Sequence, residues 1–339
     1  MRRKLLFIVT LCLLTASCTE TSTQEPKRNI RIGVALYDQY DTFISSLFSK
    51  FSSYARQVEQ ESGITITIMQ GSADGNQLVQ NSQVESFIEA GCDVLCVNLV
   101  DRTDAAVIID MAGANQIPVI FFNRELVEED LERGDKLYYV GADALESGRI
   151  QGQIAADLWK DNIEGIDKNG DEIMQYVMLE GEAGHQDAIM RTEYSITEVS
   201  IAGIKLERLG HEIANWVRSQ AETKMSQWLE THGGSIEVVF ANNDDMALGA
   251  IDALKRAEIP YKDWPMIMGI DGTDAGRDAV IRGEMTGTVF NDAKGQAESM
   301  MDLAYALCVG SQLPELEDGR YIRLPYQAIT RSNVMEFGE

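Results

Sequence analysis

Five apolar runs of the sequence finish in an acid or an amide. Asp41 and Phe43 follow "IRIGVALY" within a short loop, Asn123 follows "IPVIFF", Asn243 follows "IEVVFAN", Asp271 ends "PMIMGID" and Asn291 follows "TGTVF". Each alone has a plainer account, because Asp and Asn are favoured N-caps of a following helix. Five together, with no Lys, Ser or Cys nucleophile among them, describe a site rich in carboxylates and amides. The segment "GEAGHQDAIMR" adds His185, Asp187 and Arg191, the last two at i, i+4 spacing, which is also the spacing of an ordinary surface ion pair on a helix. Trp216 in "HEIANWVRSQ" reads equally as a core aromatic. Taken together, these residue types suit a polyol. Planar polar groups donate to and accept from neighbouring hydroxyls, while aromatic faces cover the C–H faces of a pyranose.

A second cluster lies in "IDKNGDEIMQ". Asp167, Asn169, Asp171, the Ile173 carbonyl and Gln175 fall at positions one, three, five, seven and nine of a calcium loop. The twelfth position, which supplies a bidentate Glu in an EF-hand, is Met178 inside the apolar run "YVML". A remaining ligand must therefore come from elsewhere in the chain, or the stretch is a wet acidic turn.

These groups need a scaffold. Strand candidates are Ile30–Tyr37, Ile64–Met69, Asp93–Val100, Ile117–Phe122, Gln175–Gly181, Gly203–Leu209, Ile236–Asn242, Pro265–Asp271 and Thr286–Phe290, with one short strand more in "YYVGADALESG". Between them lie helical patterns such as "TFISSLFSKFSSYARQVEQES", "SQVESFIEAG" and "AETKMSQWLETH". Near-continuous apolar strands separated by helices predict an α/β fold with parallel sheets covered on both faces. In such sheets ligands bind outside the carboxyl ends of the strands, where the Asp and Asn residues stand. The strand count predicts two doubly wound domains with a break near Tyr138–Gly148, and no Pro/Gly/Ser linker or short tandem repeat marks it.

Residues 1–17 combine a basic start, an apolar run from Leu5 to Leu14 too short to span a bilayer, and small residues before Cys18. This is the pattern of an export signal. "LTAS" before Cys18 resembles a bacterial lipobox, with Thr15 departing from the usual aliphatic residue, so the expectation is acylation of Cys18 and a polar tether over residues 18–29. Loss of residues 1–17 removes Arg2, Arg3 and Lys4 and takes the formal charge from −25 to −28. That field argues against nucleic acid and anionic membrane as partners. Of the five cysteines, Cys92 and Cys96 sit four residues apart on a predicted strand. Their separation of about 13 Å exceeds disulfide reach, so they are expected as small buried side chains.

From Ile30 to the C-terminus the sequence resembles the galactose/glucose-binding family of periplasmic receptors in sugar transport and chemotaxis. The blocks "YDTF", "NLVD", "VIFFN", "YYVGAD", "ESGRIQGQ", "GEAGHQDAIMRT", "EVVFANNDDMALGA" and "GTVFNDAKGQA" carry the resemblance in order. It implies a periplasmic binding protein type 1 fold, with two Rossmann-like lobes joined by three hinge strands and closing over one monosaccharide. The lobes would comprise residues 30–142 with 292–324, and 143–291 with 325–339. By the same resemblance Asp41 meets the far hydroxyl and His185 assists. Asn123, Asp187, Arg191, Asn243, Asp271 and Asn291 bind the other hydroxyls and the ring oxygen, and Phe43 and Trp216 sandwich the ring. All ten positions hold the family's residue type. A carboxylate at Asp41 accepts from an axial or an equatorial C4 hydroxyl, so D-galactose and D-glucose are both admitted.

The family also has a structural Ca2+ loop here whose bidentate Glu comes from a distant strand, matched by Glu237 in "SIEVVFANN". Glu172 departs from the Gly usual at loop position six, a position that needs φ > 0. The implied partners are the monosaccharide and an ABC permease, with a chemoreceptor left open, and the implied state is a lipid-anchored, exported monomer. Two rivals differ in class. A glycosidase needs two carboxylates about 5 to 10 Å apart, but here most carboxylates pair with amides and Arg. A sugar-responsive repressor shares the two-lobed core but begins with a helix-turn-helix and a basic surface.

Overall fold

A computed structural model describes residues 29–337. The export signal, Cys18 and all of the tether except Asn29 lie outside the described residues. Twelve strands form among those residues: β1 (Asn29–Leu36), β2 (Thr65–Ser72), β3 (Val94–Val97), β4 (Val119–Phe122), β5 (Leu137–Gly141), β6 (Ile173–Glu180), β7 (Lys205–Ile213), β8 (Val238–Ala241), β9 (Met266–Met268), β10 (Gly287–Phe290), β11 (Tyr321–Arg323) and β12 (Gln327–Thr330). They divide into two six-stranded sheets, ordered β11-β5-β4-β3-β1-β2 and β12-β10-β9-β8-β6-β7. All neighbours run parallel except β12, which is antiparallel to β10. This is the two-lobed α/β fold that the resemblance implies.

The apolar runs become strands because each sheet is buried on both faces. Val94, Leu95, Cys96 and Val97 of β3 are all fully buried, as are Val238, Val239, Phe240 and Ala241 of β8. Alternate side chains enter separate cores: Ile32, Val34 and Cys96 pack on one face of the first sheet, and Ala35, Leu95 and Val97 on the other. Cys92 and Cys96 are free and buried, as expected. Among the described residues no helix is long and apolar enough to cross a membrane.

β11 and β12 were not among the predicted strands. They are three and four residues long and largely unburied, with Ile329 the one fully buried side chain between them, so neither shows a period. Their position matters, because the chain passes between sheets three times: after β5, after β10 and between β11 and β12. The helix Ala293–Val309 follows β10 of the second sheet yet packs on the helix Thr42–Ser62 over the first.

Strand order reverses between β1 and β3 in one sheet and between β6 and β8 in the other. Those reversals open a crevice at the carboxyl ends, and β1, β6 and β8 feed into Asp41, Asp187 and Asn243 there. In the second lobe, Gly148 and Gly152 let the helix Ala144–Asp161 approach the helix Gln186–Ile201 very closely. A Cβ at Gly152 would lie 2.3 Å from the Ser195 carbonyl oxygen, and one at Gly148 would lie 3.1 Å from Cα of Arg191. That contact sets the height of Arg191 over the crevice.

Candidate sugar-binding site

A small void, partly open to solvent, lies between the lobes. Tyr37, Asp41, Phe43, Ile44 and Asn123 of the first lobe line it, facing His185, Asp187, Arg191, Trp216, Asn243 and Asp271 of the second. Nine of the ten residues singled out in the sequence therefore meet at one place. The tenth, Asn291, lines a neighbouring void instead. Its side chain hydrogen-bonds Asp271, and its Oδ1 accepts from Gln296 Nε2 at 2.6 Å, so it stands behind the site.

Three of these positions, Asp41, His185 and Asn243, are also helix N-caps. Asp41 caps the helix Thr42–Ser62 by accepting from the Ile44 N–H at 2.9 Å. Asn243 accepts from the Met246 N–H at 2.9 Å and donates from Nδ2 to the Trp216 carbonyl at 3.3 Å. A cap leaves further lone pairs of the side chain aimed outward, beyond the strand end. Asn123, which lines the void, accepts from Asn98 Nδ2 at 3.1 Å, and its own Nδ2 has no hydrogen-bond partner among the described residues.

Asn123, Trp216 and Asp271 hold φ at 59°, 65° and 115°. Non-glycine residues at positive φ are strained, and strain of this kind persists where surrounding structure over-determines it. Trp216 is held by Gly181, where a Cβ would come within 2.2 Å of the indole, and by His185, whose ring meets it edge-on with centroids 5.1 Å apart. Phe43 faces the void from the other lobe and is 7% exposed.

Arg191 is the hub of the second lobe. It donates from Nε to Ser147 Oγ at 3.2 Å, from Nη1 to the Asn242 carbonyl at 2.9 Å, and from Nη2 to Tyr326 Oη at 3.1 Å and Asp187 Oδ2 at 3.3 Å. Asp271 Oδ1 lies 3.7 Å from Nη1. Burial lifts the carboxyls of Asp41, Asp187 and Asp271 above the ordinary range, Asp271 furthest, although nearby guanidiniums oppose the rise. Burial, reinforced by Arg124, Arg191 and Arg102, drives His185 well below the usual imidazole value. His185 is therefore neutral. Its Nδ1 accepts from the Asp187 N–H at 3.0 Å, which assigns the proton to Nε2 as a donor. The void thus offers carboxylates with acceptor capacity to spare, an amide N–H, an imidazole N–H and two aromatic faces.

Tyr37 escaped the sequence reading. Its hydroxyl donates to Asp41 Oδ2 at 2.6 Å, and its ring stacks beneath Arg124, whose Cζ is 3.7 Å from the centroid. As the last letter of "IRIGVALY" it passed for one more apolar strand residue, and its four-residue distance from Asp41 was the available signal.

The acidic loop folds around its own backbone. Asp167 accepts from the N–H groups of Gly170, Asp171 and Glu172, and Glu237 accepts from those of Lys168 and Gln175 at 2.6 and 2.9 Å. Glu237 thus reaches the loop from the distant strand region, and burial together with Asp167 and Asp171 raises its carboxyl above the ordinary range. Among the described residues no three acidic, His or Cys side chains already converge to metal-holding distance. The donor chemistry nevertheless fits a hard cation: three carboxylates crowd one loop, and Gln175 Oε1 is buried with no hydrogen-bond partner among the described residues. Glu172 sits at φ 58° even though Gly170 beside it is at 76°, so the turn does not shift the strain onto the glycine.

Comparison with known proteins settles the family. The sequence signature of the periplasmic binding protein domain matches residues 32–312. The chain belongs to the periplasmic binding protein family. It is 36% identical over 313 residues to the D-galactose/methyl-galactoside binding periplasmic protein MglB of Haemophilus influenzae, covering 91% of each chain. It is 32% identical to a putative rhizopine-binding protein of Rhizobium meliloti, covering 95% of this chain and 96% of that one. Among solved structures, an ABC transporter solute binding protein of Bacillus halodurans with bound myo-inositol superposes with a TM-score of 0.77 at 29% identity, covering 93% of this chain and 99% of that one. Members of this family are exported substrate-binding proteins, so the glycosidase alternative falls.

Proposed function

We propose that this periplasmic binding protein is a sugar receptor for an ABC importer and that its ligand is D-galactose or D-glucose. The observation that carries the reading is the void itself. Asp41 and Asn123 from one lobe face Asp187, Arg191, Asn243 and Asp271 from the other, with Phe43 and Trp216 supplying ring faces. Hydroxyl donors on a pyranose fill the remaining acceptor capacity of these desolvated carboxylates. Because the bonds run to both lobes at once, the sugar binds the closed state better than the open one and shifts the population toward it. The relative from Haemophilus influenzae supports galactose by its name, while other relatives are named for rhizopine and xylitol. Trp216 lines the void, so titrating monosaccharides, xylitol and myo-inositol against Trp fluorescence tests the reading. D-galactose or D-glucose saturates the signal at the lowest concentration; tighter binding by xylitol or myo-inositol overturns it.

The same reading includes acylation of Cys18, which anchors the receptor at the outer face of the cell membrane beside its permease. Changing Cys18→Ala is expected to release the protein into the soluble fraction. It also includes Ca2+ held by Asp167, Asn169, Asp171, the Ile173 carbonyl, Gln175 and Glu237. Held there, Ca2+ would neutralise the crowded carboxylates and tie the loop to Glu237, the residue just before β8.

A further inference from the structure

We propose that Arg124 is a positioning residue that links closure of the lobes to the carboxylate of Asp41. The proposal rests on the sugar-receptor reading above. Arg124 follows Asn123 at the end of β4, is 5% exposed, and donates from Nη1 to the Val100 carbonyl of its own lobe at 2.7 Å. That bond alone would account for a structural arginine. The rest of the guanidinium is committed elsewhere.

Nη2 crosses the cleft to Glu182 Oε2 at 2.6 Å, on the second lobe just past Gly181. The guanidinium plane covers Tyr37, and Nε is left buried with no hydrogen-bond partner among the described residues. Tyr37 in turn donates to Asp41 Oδ2, while the Ile44 N–H holds Oδ1, so both oxygens are oriented and the remaining lone pairs face the void. A line of contacts therefore runs from Glu182 through Arg124 and Tyr37 to Asp41. Glu182 is the one acid within ion-pair distance of Arg124 among the described residues. Opening the lobes separates that pair and frees the guanidinium to leave the Tyr37 face. Asp41 then presents its full geometry to the sugar only when the lobes are shut.

The test is a double-mutant cycle on sugar release, using Glu182→Gln and Tyr37→Phe, two residues joined by no hydrogen bond to each other among the described residues. Stopped-flow release is measured at low and high salt, about 0.01 and 1 M, since the pair faces solvent at its Glu182 end and is screened at the upper value. Glu182→Gln raises koff by about tenfold for every hexose that binds, leaves kon nearly unchanged, and abolishes the salt dependence of release seen in the wild type. Tyr37→Phe also raises koff but keeps that salt dependence. The double variant releases sugar more slowly than the product of the single effects, because both changes break one line of contacts. Additive effects, or a Glu182→Gln protein with wild-type release at both salts, overturn the role of Arg124 while hexose binding stands. A wild type that binds no hexose overturns the sugar reading and this proposal with it.

Discussion

Asp187 and Arg191, one helical turn apart, form an ion pair that is buried between the lobes, with 8% and 3% exposure and Nη2 3.3 Å from Oδ2. Their spacing alone is that of a surface pair worth a few tenths of a kcal/mol. Burial changes its meaning. The pair is under-bonded for its environment, since Asp187 accepts from one guanidinium at long range and carries a carboxyl raised by desolvation. A ligand bearing several hydroxyls completes it.

Asp187→Ala is therefore expected to cost about 3–5 kcal/mol of sugar affinity, because it leaves Arg191 and sugar hydroxyls unpaired in a dry pocket. Calorimetric titration reads this directly. An unchanged dissociation constant rejects the placement of the sugar beside Asp187.

Gly152→Ala is expected to destabilise the sugar-free protein by about 1–3 kcal/mol through overpacking, since the new Cβ would meet the Ser195 carbonyl oxygen at 2.3 Å. It also lifts the helix that carries Arg191, so sugar affinity falls with stability. A urea midpoint equal to the wild type's would show that the two helices have room to spare.

The left-handed conformation of Glu172 makes a separate prediction about the acidic loop. Glu172→Gly is expected to stabilise the protein by about 1 kcal/mol and to raise calcium affinity, because glycine adopts positive φ without the penalty of a Cβ. Differential scanning calorimetry with Ca2+ and after chelation checks both parts. Chelation lowers the melting temperature of the wild type, and identical melting in the two conditions contradicts a metal at this loop.

Acidity gives another handle. Asp244 is buried among Thr273 and Thr288, and desolvation pushes its carboxyl up to about 6 from 3.8, despite the hydrogen bonds they donate. The folded state thus holds this proton more tightly than the unfolded chain. The associated stability is fully present below about pH 4 and is lost as pH rises through about 6. Asp271, Asp187 and Asp41 are raised in the same direction. Urea midpoints of the sugar-free protein should reflect this loss between those limits, and Asp244→Asn should flatten part of the slope. Sugar binding runs the other way, since hydroxyl donors favour the ionised carboxylates, so affinity rises with pH across the same window.

Much of this architecture is legible in the residues themselves. Ten strands follow from continuous apolar runs, and nine of ten proposed contacts follow from polar residues at the ends of such runs or in the motif around Arg191. The rest depends on neighbours distant in sequence. β11 and β12 are too short to show a period and exist because β5 and β10 offer them an edge. Asn291 looks like the other strand-end amides, yet Gln296 and Asp271 draw its side chain behind the void. Tyr37 and Arg124 acquire their roles from a stack between β1 and β4, and Arg124 from a carboxylate on the opposite lobe. Nothing local announces those pairings.

The central claim is that two lobes, each offering half of a polar cage, close on one hexose. Small-angle scattering of the protein with and without saturating D-galactose or D-glucose tests it most directly. The account predicts a smaller radius of gyration with the sugar bound. Superposable curves, with no rise in melting temperature from either hexose, contradict it.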